Sequence, residues 1–416
     1  MLLLTAEGVP KMAELLVRAS AQDAALLRRI YGLDGHSPAA ARPSRIVVDA
    51  HTPLKGADIA MTARRAGVPL LIDPQTYYLQ GTQHPDDPWA TRLPFGRADK
   101  LVPADFDAFT QEQLVASAVE YQIQHGATAV IAPYVHIDRL NSEWIDIQAG
   151  LWQRTARYLA RENIALHVTA VLAIGWRVLH PVQGHAALAP ALSALAALEP
   201  REVALAASKA DQGVRPQDRA MDLVLMIERI RRDINVIAWQ QGHLGELAVA
   251  AGATGYECGI GWRERCDLGA AANAHRKPQT GGTRSARPVF VNALGRSIPK
   301  QSLEALRSHR ELWMRMMCAD SGCCPVGGGT GLLGDARAHA IVQRRQRIDQ
   351  LDRIERGVWR WQHLAESADA GLDLAHRLNR RAATNVDVKH VDTSALEAVS
   401  AVSHTRRVDA RSRRVA

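Results

Sequence analysis

The chain has 416 residues, room for one (β/α) barrel of roughly 250 residues with additions, and no run of about 18 uninterrupted apolar residues, which excludes a membrane-spanning helix. Apolar residues make up 47% and aromatics only 5%, so Ala, Leu, Val and Ile carry the core, as suits helices packed on strands. The net charge of +8 favours a polyanionic partner, but much of the excess lies in a polar tail holding Arg380, Arg381, Arg406, Arg407, Arg411, Arg413 and Arg414, away from any patterned segment.

The opening MLLLTAEGVPK carries no signal-peptide pattern, because its apolar run is broken at Glu7 with no basic stretch before it. Residues 1–44 read as an N-terminal helical cover ending in the linker SPAAARPS. From Arg45 onward, short apolar runs alternate with longer helical patterns, as a parallel sheet with crossover helices requires. The expected strands are RIVVDAH, VPLLIDP, TAVIAPY, ALHVTAVLA, EVALAASK, NVIAWQQ, TGYECGI and PVFVNAL. Helical stretches lie at Asp105 to His125, Ser142 to Asn163, Pro216 to Arg232 and Leu244 to Ala251, the last stopped by Gly252. The expected fold is a (β/α)8 TIM-type barrel over residues 45–300, with a small Cys/His metal-binding helical subdomain over 301–360 and a basic, poorly ordered tail over 361–416.

Two segments depart from the repeat. Residues 76–100 form a long loop with Tyr77, Tyr78, Trp89 and Phe95, expected to fold as a lid over the barrel mouth, with packing on the N-terminal helices as the rival arrangement. The stretch AANAHRKPQTGGTRSARP is polar and turn-rich and reads as a mobile connector.

In such barrels catalysis sits at the C-terminal ends of the strands. That rim carries Asp49 and His51, Asp73 and Gln75, Tyr134 and His136, Lys209 and Asp211, Gln240 and Gln241, Glu257, Trp262 and Arg263. About half of any such set only caps helices or meets solvent. From it, Gln75, Tyr77 just beyond it, Tyr134, His136, Lys209, Gln240, Gln241, Trp262 and Arg263 are taken as substrate-binding. Asp73 and Glu257 each end a strand, so two carboxylates would share one mouth and divide nucleophilic and acid/base work. The bland alternatives are a turn cap at Asp73-Pro74 and an ion pair between Glu257 and Arg263.

Past the last expected strand, Cys318, Cys323, Cys324 and His339 form the ligand set of a structural Cys3His zinc site, although the adjacent pair needs a tight turn to reach one ion. Buried thiols beside a helical His are the alternative. Crowded thiols rather than a spread, even set speak against a disulfide framework and for a reducing compartment, hence the cytoplasm. The run GGGTG at Gly327 to Gly331 lacks a following Lys-Ser/Thr and reads as a connector rather than a phosphate cradle.

The stretch VIAWQQGHLGELAVAAGATGYECGIGWRER resembles the tRNA-guanine transglycosylase pattern, in which a strand, a Gly-containing turn and a helix lead to a strand ending in Asp-Cys and a loop with Arg. LLIDPQTYYLQ is similar to that family's TDSGGFQ, and the cysteine cluster with His339 to its zinc subdomain. The resemblance covers about residues 65 to 355, by order of elements more than by identical motifs. It implies that Glu257 is the nucleophile of a covalent glycosyl-enzyme intermediate and Asp73 the acid/base. It also implies structural zinc and a purine nucleotide unit, of the queuosine or 7-deazaguanine kind, in tRNA, DNA or a free nucleoside. Glutamate replaces the family's aspartate, GWR its PTR and Pro-Gln its Gly-Gly, the cysteine spacing differs, and ALAASKAD lacks its GGLAVGE-like turn, so a distant branch is implied.

Two other readings stay open. One is an unrelated barrel enzyme on a small metabolite, using Lys209 as a Schiff base or phosphate ligand; the other is a non-catalytic, zinc-containing nucleic-acid-binding protein. A homodimer is compatible with either.

Overall fold

The structure is a computed structural model that describes residues 12–39, 41–56, 58–277, 287–324 and 327–412. Parallel strands β1 (Glu14–Ala19), β2 (Arg45–Asp49), β3 (Leu70–Asp73), β4 (Ala129–Ile131), β6 (His167–Gly175), β7 (Glu202–Ser208), β8 (Val236–Ala238) and β9 (Gly255–Gly259) follow the order β3-β2-β1-β9-β8-β7-β6-β4. A two-residue strand, β5 (His136–Ile137), pairs with the far end of β6. The ring closes between β4 and β3, where Thr128 N donates to Leu70 O at 2.9 Å and Leu70 N to Thr128 Oγ1 at 2.9 Å. This is the expected (β/α)8 architecture, a nearly closed eight-stranded barrel with helices between the strands. Most strand residues are buried because both faces of a parallel barrel strand are covered, one by the interior and one by helices such as Ala108–Gln124, Trp144–Arg161 and Pro216–Ile230.

The identity of two strands differs from expectation. ELLVRA forms β1, between β2 and β9, where a helical cover was expected. Its Leu, Ala and Glu are good helix formers, and two neighbouring strands that bury both faces override that preference. Helix Ala24–Ile30 follows it, and the first eleven residues of the expected cover lie outside the described residues. Conversely, PVFVNAL is not a barrel strand. Val289–Val291 (β10) turns at Asn292–Leu294 and Gly295, whose φ of +60° suits glycine, and pairs antiparallel with Arg296–Ile298 (β11). A three-residue apolar run carries no mark of parallel or antiparallel pairing.

The expected poorly ordered tail is instead two helices, Gly357–Ala382 and Ser394–Ser412, packed on each other, the second also on Pro216–Ile230. Val358, Trp361, Leu364, Ala365, Ala368, Leu374, Ala375 and Leu378 recur at helical spacing and are buried, and Arg406 pairs with Glu228. Arginines on the outer faces hide this stripe in composition alone. Half of the stretch read as a mobile connector, residues 278–286, lies outside the described residues; its first turn belongs to the helix Leu268–Ala274. Of the glycine run, Gly328–Gly334 forms a short helix.

The floor of the barrel is closed by charge. Arg45 is buried against Glu202, with Nη2 to Oε2 at 2.8 Å, and against Glu14, with Nε to Oε2 at 2.5 Å, while Thr169 donates to Glu202 at 3.0 Å. Removing Arg45 takes the nearest cation from two buried carboxylates and leaves the more exposed Arg201 beside them, at 3.7 Å from Glu14 and 4.0 Å from Glu202, so Arg45→Leu is expected to cost about 3 kcal/mol, read from urea unfolding midpoints.

Candidate active site at the barrel mouth

At the other end of the barrel a second buried arginine, Arg18 of β1, gathers the ends of β2 and β3, at Asp49 and Asp73, and the middle of β9, at Glu257, which was expected at a strand end. Its Nε donates to Glu257 Oε1 at 2.9 Å, its Nη1 to Asp49 Oδ1 at 2.6 Å, and its Nη2 to both Asp73 Oδ2 at 2.9 Å and Glu257 Oε2 at 3.3 Å. The strand register makes this possible: Leu16 lies beside Glu257, and Arg18, two residues on, points into the same interior, while Asp49 and Asp73 are paired on β2 and β3. The Trp239 ring lies 5.3 Å from the guanidinium carbon. Arg263, in the loop after β9, takes the second oxygen of Asp49. Tyr134 donates to Asp73 Oδ1 at 2.9 Å, and the Gln240 backbone N–H to Glu257 Oε2 at 3.0 Å.

Three carboxylates, Asp49, Asp73 and Glu257, thus face two guanidiniums, Arg18 and Arg263, so one negative charge is in excess when all are ionised. Burial opposes the charge on Asp49, but Arg263 and then Arg18 outweigh it and hold that carboxyl well below its usual range. At Glu257 burial dominates and pushes the carboxyl up, against Arg18 and with the help of Asp73. Arg18 itself is held above its ordinary value, because its three partners together exceed the burial penalty.

The expected substrate-binding residues divide. Tyr134, Gln240 and Arg263 touch the cluster as described. Gln75, 1% exposed and at φ +48°, donates its backbone N–H to Asp73 Oδ1 at 3.0 Å, and neither atom of its side-chain amide has a partner among the described residues. Gln241 serves the barrel wall, its Nε2 on Ala207 O at 2.8 Å. Lys209 is 46% exposed and faces Asp267 at 3.8 Å, not an apolar pocket. Trp262 is 46% exposed on the rim. Of the bland alternatives, the Glu257–Arg263 pair is replaced by Glu257–Arg18. Arg18 was missed because its strand was missed; the alternation Glu14, Leu16, Arg18 becomes readable only once β1 is known to be a strand.

The cluster adjoins two clefts. Arg18 and Asp49 line a smaller one of about 270 Å³. Tyr134 stacks on Tyr77 at 5.7 Å, and Tyr77 lines a larger, polar cleft of about 590 Å³ with His136, Gln80, Asn141 and Trp144. The 76–100 loop lies at this same end of the barrel as a packed cover. Trp89 donates to Pro74 O at 2.9 Å and sits against His51, Tyr78 and His275, and His275 pairs with Asp87 at 2.6 Å. Tyr78, Trp89 and Phe95 are buried, so these rings support the mouth rather than offer a face to a ligand.

Beside this cover, burial lowers the pKa of His51 to about 4, with Lys55, Arg263 and His275 adding to it and Asp49 opposing. The folded state therefore resists a proton that the unfolded chain accepts near 6.5. Stability is expected to fall as pH drops from about 6.5 toward 4, on the order of 1–3 kcal/mol from this residue. Thermal melts across that range check it, with His51→Gln expected to show the shallower dependence.

A separate cluster forms at Cys318, Cys323, Cys324 and His339, whose ligand atoms all lie within 4.8 Å of one another. The tight turn that an adjacent cysteine pair needs is built by Asp320: its carbonyl accepts from Cys323 N at 3.2 Å and Cys324 N at 2.8 Å, and its Oδ1 from Gly322 N at 2.8 Å. Both sulfurs then approach His339 Nδ1, at 3.3 and 3.4 Å. His339 Nε2 faces Phe290 O at 2.9 Å, which fixes the proton there and leaves Nδ1 as a lone-pair donor. Burial pushes the Cys324 thiol up to about 12 and lowers His339 to about 4. Helix Ala336–Asp352, which carries His339, is pinned to the barrel by Arg344 on Gly242 O at 2.9 Å and Arg345 on Ala13 O at 2.7 Å.

No protein-family model matches the chain, and no curated protein matches it. Among solved structures, a chain titled "QR15, an Aldolase" is similar with a TM-score of 0.33 and 12% identity, over 65% of this chain and 98% of that one. The barrel assignment rests on the strand order above. Among the described residues no helix is long and apolar enough to cross a membrane.

Proposed function

We propose that the barrel mouth is the active site of a base-exchanging or base-releasing pentosyltransferase acting on a purine nucleotide unit. The observation that carries this reading is the sharing of Arg18 Nη2 by Asp73 and Glu257, which brings a carboxylate at the end of β3 and one in the middle of β9 to one point. An oxygen of Glu257 attacks C1′ of the sugar, the C1′–N bond breaks, and its electron pair leaves with the base, which takes a proton from Asp73. An incoming base or water then attacks C1′, passes its proton to Asp73, which regains its acid form, and the C1′–O bond to Glu257 breaks with its electron pair returning to the carboxylate. Burial that raises the basicity of Glu257 favours the first step. Its oxygens are held by Arg18 and Gln240 N–H, so one of these bonds must give way when the sugar arrives. Exposure of Lys209 and its pairing with Asp267 speak against the Schiff-base reading.

The test is incubation of the protein with tRNA, DNA and free guanosine in the presence of labelled purine bases. Incorporation or release, and a protein–sugar adduct on the peptide holding Glu257 by mass spectrometry, are the expected results; no exchange, release or adduct with any of them removes the proposal.

The Cys3His set fits structural zinc, since tetrahedral bonds of about 2.0–2.3 Å need only a small contraction of the observed cluster. Cys318, Cys323, Cys324 and His339 would hold the ion, whose charge favours the thiolate form that burial disfavours. About one zinc per chain is expected by elemental analysis. Cys324→Ser should lose the metal and lower the melting temperature together, and a melting temperature indifferent to chelators speaks against a structural ion. The five free cysteines fit a reducing cytoplasm.

A further inference from the structure

The smaller cleft at the mouth is not used by the carboxylate chemistry. It opens where β1, β2 and β9 end, and Arg18, Lys55, Arg263 and Arg287 all line it, together with Ser20, His51 and Trp262. Its two acidic residues are already engaged. Asp49 is held by Arg18 and Arg263, and Asp23 by Arg287 at 2.9 Å and Arg337 at 2.8 Å.

The donors that remain point to an anion. Lys55 is exposed on the cleft wall and forms no ion pair among the described residues. Arg263 binds Asp49 through Nη1 alone, and its Nε and Nη2 make no hydrogen bond among the described residues. Arg287 is fixed in place by Ile260 O at 3.2 Å, Ser20 Oγ at 3.0 Å and Asp23. His51 adds a buried Nδ1 without a partner among the described residues. Two planar guanidiniums and an ammonium around one concavity match the several oxygens of a phosphate better than the single edge of a carboxylate.

We propose that this cleft is a phosphate-binding subsite, taking a phosphomonoester or phosphodiester of the ligand whose sugar meets Glu257. The link to that sugar rests on the proposed function; affinity for phosphate does not.

Calorimetric titration of the full chain with inorganic phosphate, guanosine, guanosine 5′-monophosphate and a short single-stranded oligonucleotide tests it. The monophosphate is expected to bind roughly tenfold tighter than guanosine, inorganic phosphate to compete with it, and Lys55→Glu to abolish most of that gain. Lys55 is exposed and unpaired among the described residues, so the variant should melt like wild type, and Arg287→Gln is a second, independent probe. An oligonucleotide that binds tighter than the monophosphate, with the same Lys55 dependence, assigns the subsite to a strand phosphate; equal binding assigns it to a free nucleotide. Phosphate and monophosphate that do not bind, or bind indifferently to Lys55→Glu and Arg287→Gln, overturn the proposal. Phosphate binding that depends on Lys55 without any guanosine binding keeps the subsite and removes the purine reading.

Discussion

Glu257→Gln is expected to lose base exchange or release by at least about a thousandfold, because the amide keeps the volume but lacks the negative charge that makes the carboxylate oxygen a nucleophile toward C1′. The protein should still fold. The introduced amide can accept from Arg18 through its remaining oxygen, and the cluster carries one excess negative charge that the change removes. Its NH2 group would face either the Arg18 guanidinium or the Gln240 N–H, donor against donor, so a loss of about 1–2 kcal/mol is expected. The measurement is paired: turnover and adduct formation on one side, circular dichroism and urea melts on the other. A variant that retains turnover ends the nucleophile role, whereas one that loses both turnover and fold leaves Glu257→Asp to decide, since it keeps the charge and shortens the reach by a methylene.

Arg18→Met is expected to be the most destabilising single change at the mouth, by about 3–5 kcal/mol at neutral pH, because it leaves Asp73 and Glu257 buried without their shared cation. Without Arg18 the Glu257 carboxyl, already pushed up by burial, rises further above its unfolded value near 4. A carboxyl with a raised folded pKa contributes its stability below the unfolded value and loses it as pH rises through the folded one. The deficit of Arg18→Met should therefore be small near pH 4 and widen toward pH 8, and Arg18→Lys should recover part of it. Urea midpoints for the three proteins at several pH values check this, and a deficit independent of pH would show that Arg18 acts through packing alone.

The alternation of apolar runs with amphipathic stretches from Arg45 to Ile260 was enough to read a parallel (β/α) barrel and seven of its strands, because strands buried on both faces and helices on one face leave different periods in the chain; the count of eight was reached with PVFVNAL in the place that ELLVRA takes. It also placed Asp73 at the end of its strand and grouped Cys318, Cys323, Cys324 and His339, since those features depend on residue type and local order, whereas Glu257, expected at a strand end, lies in the middle of β9, where pairing with β1 extends the strand past it. Which apolar run became a barrel strand was decided only by pairing: ELLVRA is inserted between β2 and β9, while VFV finds an antiparallel partner in RSI. The helical tail likewise owes its order to contacts with Pro216–Ile230, far away in the chain, among them Arg406 to Glu228 at a separation of 178 residues. The site centre belongs to the same class. Arg18 lies 31, 55 and 239 residues from Asp49, Asp73 and Glu257, and local sequence carries no signal for a charge balance that only barrel closure assembles.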